Sequence, residues 1–355
     1  MTARRVVAFG GGHGLSASLR ALRHCAPELD LDITAVVTVG DDGGSSGRLR
    51  AERGGLPPGD LRQALVALAG DHPATRRSAG LFQHRFAAVP EGVRRSDATD
   101  PGPAVGDDPG RDGAAPRSAD GGLAGIDGLT GHAVGNLVLC GLMELLGDPV
   151  AALEHAGAML GAVGRVLPMS RQPVGIEARV RGADPAAPDE VRTVSGQHQV
   201  AVTTGRVESL RLTPSAPPAC AEAIEAIRAA DWLIFGPGSW YTSVLPHLLV
   251  PQLADAIVST SARRLVTLNL AAEKETLGLS VADHLAALHW YLPELKVDLV
   301  LADAKAVGDP EPVERAAESL GARLVLAPVA VVDGTPRHDP AALGAALVPV
   351  LGADR

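Results

Sequence analysis

The sequence predicts an α/β fold: a Rossmann-like three-layer sandwich around an open, mostly parallel sheet, with an inserted β-rich segment. Three observations predict it. Short apolar runs at residues 6–9 and 232–235 each end in a glycine turn, Gly10-Gly11-Gly12-His13-Gly14 and Gly236-Pro237-Gly238-Ser239. Runs at 33–39, 265–270, 299–302 and 323–327 are largely continuous in apolar residues, as strands buried on both faces require. Helical periodicity fills the stretches between them.

Each element follows in order. After the first glycine turn, Leu15, Leu19 and Leu22 share one helix face. The second strand runs into Gly40-Asp41-Asp42-Gly43-Gly44-Ser45-Ser46-Gly47. Leu56-Pro57-Pro58-Gly59-Asp60 then precedes a helix carrying Leu61, Leu65 and Leu68, with Asp60 expected as its N-cap. Residues 90–125 hold eight glycines, five prolines and no aromatic residue. Such a segment buries too little surface to offset its ordering entropy, and reads as a disordered Gly/Pro/Asp-rich insertion. Further helices open at Gly135-Asn136 and at Pro149. Short strands at 165–169, 176–181, 197–203 and 207–212 suggest a β-rich subdomain over 163–212 within one domain spanning 1–355. A closing helix covers 340–351.

Composition excludes several functions. Against 41 acidic residues stand 32 basic ones, only three of them lysine, for a net charge of −9. No basic stripe exists to bind a nucleic-acid polymer. Four Phe, three Trp and two Tyr are too few for a base-stacking platform. No glycine-rich segment continues into Lys-Ser or Lys-Thr, so a Walker A loop is absent. Cys25, Cys140 and Cys220 are scattered, which suits a reducing cytoplasm. Residues 1–9 make a poor signal peptide, and no run of about 18 apolar residues is present to span a membrane.

Backbone N–H groups of a glycine turn at a helix N-terminus can bind phosphate without lysine. The first cluster is not a dinucleotide fingerprint, because position 15 is leucine where a third glycine belongs. Asp41-Asp42, at the carboxyl end of a strand, suits ribose, Mg²⁺ or general-base work, and equally a solvated turn. Residues 43–47 match G-x-S-x-G, with Asp303 and His338 available to complete a hydrolase triad. That elbow needs a strand directly before it, and Gly40-Asp41-Asp42 intervenes. His284 and His289 miss the spacing of a helical metal pair.

Five motifs together resemble one family. They are Gly-Gly-Gly-x-Gly-Leu at 10–15, Val-Thr-Val-x-Asp-Asp-Gly-Gly-Ser-Ser-Gly-Arg-Leu-Arg at 37–50 and Leu-Pro-Pro-Gly-Asp-Leu-Arg at 56–62. Gly-His-x-x-Gly-Asn-Leu at 131–137 and Gly-Pro-Gly-Ser-x-Tyr-Thr-Ser-Val-Leu-Pro at 236–246 complete the set. The chain resembles the YvcK-type gluconeogenesis factors, within the superfamily of the CofD 2-phospho-L-lactate transferase. Transferases of that superfamily resemble Ser-Pro-Asp-Leu-Asp where this chain has Pro58-Gly59-Asp60-Leu61-Arg62, which favours the gluconeogenesis-factor branch. Three features depart from the family. Ala272-Glu273-Lys274-Glu275-Thr276 stands where Gln-Pro-Gly-Glu-Thr is usual, His13 replaces the commoner threonine, and the 90–125 insertion has no counterpart in typical members.

The resemblance implies a cytoplasmic regulatory protein that binds a UDP-sugar such as UDP-N-acetylglucosamine and links gluconeogenic carbon metabolism to cell-wall synthesis and cell shape. A Mg²⁺-dependent, CofD-like transferase of a nucleotide-activated phospholactyl-type group is the alternative, and an NAD(P)-dependent oxidoreductase the second. Nucleotide or phosphate contacts are expected from Gly11, Gly12, His13, Gly14, Gly238, Ser239 and Thr242. Ribose or substrate contacts are expected from Asp42, Ser45, Ser46, Arg62, Asn136 and Asn269. Asp41, Asp42 and Asp60 are the catalytic candidates, and Asp41 with Asp42 the metal candidates. The expected partner is a nucleotide diphosphate ligand, and homo-oligomerisation stays open.

Overall fold

Seven parallel strands form the central layer of the computed structural model, which describes residues 3–88, 128–276 and 278–353. In chain order the first are β1 (Arg4–Gly10), β2 (Leu31–Val37) and β3 (Gly164–Pro168). They are followed by β7 (Trp232–Phe235), β8 (Arg263–Thr267), β9 (Leu299–Asp303) and β10 (Arg323–Ala327). Their spatial order is β10-β9-β8-β7-β1-β2-β3, and every neighbouring pair is parallel. β7 and β9 are buried throughout, which explains their uninterrupted apolar sequence.

Helices cover both faces. Helix α1 (Gly12–His24) buries Leu15, Leu19 and Leu22 completely or nearly so, each worth about 1.5–3 kcal/mol. α2 (Gly44–Arg53) and α3 (Pro58–Ala67) follow β2, and α4 (Pro73–Gln83), α5 (Val134–Leu146) and α6 (Pro149–Leu160) precede β3. Later come α8 (Ala221–Ala229), α9 (Pro251–Ser259), α10 (Val281–Tyr291), α11 (Ala304–Val307), α12 (Glu311–Ser319) and α13 (Pro340–Gly352). Among the described residues no helix is long and apolar enough to cross a membrane.

The inserted β-rich segment is smaller than its sequence suggests. It is a three-stranded antiparallel sheet in the order β5-β4-β6, from β4 (Gly175–Arg181), β5 (Val191–Ser195) and β6 (Arg206–Thr213). Residues 165–169 do not join it; they belong to β3, paired parallel with β2. Residues 197–203, expected as a strand, are mostly helix α7 (Gln197–Val202). The reason is tertiary: the Asp42 carboxylate accepts a 2.8 Å hydrogen bond from the His198 N–H, stabilising the start of that helix. Asp60 is not the N-cap of α3 either, since Pro57 holds that position and Asp60 lies buried in the first turn. The 90–125 insertion lies outside the described residues.

Candidate functional site

β1 lies between β2 and β7, whose connections depart in different directions, so a crevice opens at the carboxyl ends of these three strands. The loops after them converge there. Gly14 touches the loop after β7: a Cβ on it would stand 2.3 Å from the Pro237 carbonyl oxygen and 2.5 Å from Gly238 Cα. Only glycine lets the two turns meet. The second turn is held from behind by Asn269, just past β8. Its Oδ1 accepts the Gly238 N–H at 2.9 Å, and its Nδ2 donates to the Gly238 carbonyl at 2.8 Å. Asn269 therefore shapes the loop from the side, with its amide occupied.

Asp60 sits beneath the first glycine turn. Thr38, fully buried after β2, donates its hydroxyl to Asp60 Oδ2 at 3.2 Å, and the Gly12 N–H points at the same carboxyl group. A Cβ on Gly11 would fall 2.4 Å from Thr38 Oγ1 and 2.5 Å from Asp60 Oδ2, so that residue too must be glycine. Burial first, and the Asp41 carboxylate second, push Asp60 up to about 7. The N-terminus of α1 thus already faces an acidic side chain, while His13 beside it is exposed.

The two adjacent aspartates diverge. Asp41 accepts the Gly43 N–H at 3.0 Å and turns toward Gly59, where a Cβ would lie 2.5 Å from its Oδ2. Asp42 points away to α7. The pair therefore does not present two carboxylates to one ion. Asp41 and Asp60 are the carboxylates that approach each other, and their repulsion is part of what raises Asp60. Among the described residues no group of three or more His, Cys, Asp or Glu side chains converges as a metal site. The Asp41-Asp42 pair does not suit Mg²⁺, because one carboxylate is turned away and a guanidinium adjoins the other.

A buried polar chain runs along the β2 side of the crevice. Arg62 Nε donates to Asn136 Oδ1 at 2.8 Å, and Asn136 Nδ2 donates to Ser45 Oγ at 2.9 Å. Ser45 Oγ lies 2.9 Å from His132 Nδ1 and donates to it in the tautomer protonated at Nε2. Burial first and Arg48 next keep the His132 ring below its usual range, which favours that neutral form. Arg62 also donates to Gln83. Ser45, Arg62, Asn136 and His132 are each at most 5% exposed, so three chain segments lock together here. Ser46 is buried beside Gly59. Next to this chain lies an open pocket of about 350 Å³, lined by Asp41, Ser45, Ser46, Arg62, Arg85 and Asn136 among others.

Across the crevice, Ser239 donates to Glu275 and pairs with the Thr242 hydroxyl. Burial raises Glu275 to about 7. Helix α7 bridges both sides, taking Asp42 at its start and sending Gln197 Nε2 to the Thr242 carbonyl at 3.2 Å.

The predicted residues thus form two groups. Ser45, Ser46, Arg62 and Asn136 gather with Asp41 around the pocket; Gly14, Gly238, Ser239, Thr242 and Asn269 build the other wall. Sequence reasoning missed Thr38, Arg85, His132 and Glu275. His132 stood inside the 131–137 motif, and Glu275 inside the segment that departs from the family pattern. Asp303 and His338 do not serve Ser45: Asp303 accepts the Lys305, Ala306, Val329 and Ala330 N–H groups, and the histidine on Ser45 is His132.

Comparison with known proteins matches the family described as 2-phospho-L-lactate transferase CofD to residues 6–325. The chain belongs to the CofD family. Within that family its relatives carry the gluconeogenesis-factor name. One from Mycobacterium tuberculosis (strain ATCC 25618 / H37Rv) is 46% identical over 353 residues, covering 98% of this chain and 91% of the relative. The gluconeogenesis factor of Bacillus subtilis (strain 168) is 34% identical over 322 residues, covering 90% and 84%. A crystal structure of a UPF0052 family member from Bacillus halodurans superposes with a TM-score of 0.76 at 31% identity, covering 98% of this chain and 99% of that one. The CofD-family assignment and the parallel α/β architecture therefore agree.

Proposed function

We propose that this CofD-family chain is a cytoplasmic nucleotide-sugar-binding regulator. Its ligand is UDP-N-acetylglucosamine or a close analogue, and its role links gluconeogenic carbon metabolism to cell-wall synthesis and cell shape. One observation carries the reading: three loops meet at the sheet's switch point beside a polar pocket of about 350 Å³ that holds two arginines. A small ligand with anionic and hydroxyl groups suits that lining. The gluconeogenesis-factor name of the relatives supports the metabolic part. Calorimetric titration with UDP-N-acetylglucosamine tests it. Saturable heat is expected, and no heat at millimolar ligand would remove the reading.

Asp60 favours a second reading, an enzyme of the transferase kind its family description names. A buried carboxyl group raised to about 7 lies in the range of a general base at neutral pH. On that reading Asp60→Asn abolishes turnover of a nucleotide-activated phosphoester while ligand affinity persists. Equal turnover in the variant would dismiss it. The oxidoreductase reading has less support, because the Gly12 N–H that would meet a dinucleotide pyrophosphate already faces Asp60.

A further inference from the structure

Arg62 is a buried cation with no directly bonded counter-ion. The residue is 3% exposed, and its hydrogen bonds go to the neutral amides of Asn136 and Gln83. Among the described residues it forms no ion pair. Burial and then Arg85 lower it to about 10, and the nearby carboxylates of Asp60 and Asp41, neither of which it hydrogen-bonds, offset only part of that. Buried charges are ordinarily paired. A guanidinium with no carboxylate bonded to it, at the wall of an open pocket, can take an anion that arrives from outside.

Three further features point the same way. Arg85 lines the same pocket, so two positive groups converge where repulsion alone would separate them. Its NH1 is tethered to the Gly131 carbonyl at 2.9 Å, which holds the side chain in place. Helix α2, ten residues long, begins at the pocket with Gly44, Ser45 and Ser46, and no side chain caps its N–H groups. Asp41 is the opposing charge in the lining; its Oδ1 is engaged by the Gly43 N–H, and it is outnumbered by the two guanidiniums.

We propose that this pocket binds a phosphoryl oxyanion directly, through the Arg62 and Arg85 guanidiniums and the N-terminus of α2, with no metal ion between them. Planar guanidiniums match phosphate oxygens two at a time, and uncapped N–H groups of a helix complete such a cradle. The inference rests on the nucleotide-sugar reading only for the rest of the ligand; the oxyanion subsite stands on the arginines. It places the ligand's diphosphate beside α2 and leaves the first glycine turn as the neighbouring wall.

The test is calorimetry on the full chain with two probes, inorganic pyrophosphate and UDP-N-acetylglucosamine, each in EDTA and in Mg²⁺. The wild type is expected to bind pyrophosphate in EDTA. Arg85→Ala, at an exposed position, should weaken it roughly tenfold or more, the size of a charge-assisted bond. Arg62→Met should weaken it further and Arg62→Lys less, with thermal melts verifying that each variant is folded. Arg315→Ala, on the surface of α12, should leave binding unchanged. Pyrophosphate binding that needs Mg²⁺, or that both arginine variants leave intact, overturns the proposal. Arginine-dependent pyrophosphate binding without any binding of the UDP-sugar keeps the subsite and removes the nucleotide-sugar reading. UDP-sugar binding that ignores both arginines keeps that reading and removes the subsite.

Discussion

Replacing Asp60 with asparagine should stabilise this protein, and increasingly so as the pH rises. Asp60 is raised from the usual 3.8 to about 7, chiefly by burial and then by Asp41. At about 1.4 kcal/mol per pH unit, ionising it in the native state costs about 4 kcal/mol once the pH exceeds 7. The sign follows from linkage. The native state holds the proton more tightly than the unfolded chain, so this stabilising contribution is complete below pH 3.8 and lost as the pH climbs to 7. Asparagine keeps the shape, an oxygen for the Gly12 N–H and a polar partner for Thr38, and carries no charge to bury. The advantage of Asp60→Asn over wild type should therefore grow by about 3 kcal/mol between pH 5 and pH 8.5. Urea denaturation at the two pH values measures it. A difference that stays constant with pH, or an asparagine variant less stable than wild type at pH 8.5, would refute the reasoning.

Four further changes have definite expectations. Glu275→Gln should show the same sign for the same reason, since burial holds Glu275 at about 7; a flat pH response in the melting temperature would contradict it. Gly14→Ala drives a methyl group into the Pro237 carbonyl and Gly238 backbone and should cost about 1–3 kcal/mol, read as a lower urea midpoint. Ser45→Ala strips His132 Nδ1 and Asn136 Nδ2 of the hydroxyl they share, and should cost about 1–3 kcal/mol per group left unpaired; unchanged stability would show that the hydroxyl bridges nothing. Asn269→Ala releases both polar groups of Gly238, so exchange of that amide hydrogen should accelerate markedly, which hydrogen–deuterium exchange can follow.

Much of the fold was legible because it depends on local pattern. Strands β1, β7, β9 and β10 fall where apolar runs place them, and α5 and α6 begin within a residue of Gly135 and Pro149. The errors fall where partners distant in sequence decide. Residues 197–203 read as a short strand in the sequence, yet Asp42, 156 positions before His198, supplies the bond that favours a helix. Asp60 carries the signature of an N-cap, but Pro57 takes that position three residues sooner and Asp60 turns inward to Thr38. At the site, the motifs located Ser45, Arg62 and Asn136 without revealing that one hydrogen-bonded chain joins them.

Sequence alone determined the alternation of strands and helices, the two glycine-ended strands and the family, because these reside in short-range periodicity and in contiguous motifs. Only the tertiary structure decided which charges meet. Asp41 and Asp42 are neighbours in the chain, yet one faces Asp60 and the other α7. Arg62 and Arg85 are 23 positions apart in the chain and line one pocket. Side-chain electrostatics depend on distance through space and on burial, and neither quantity is written in the order of residues.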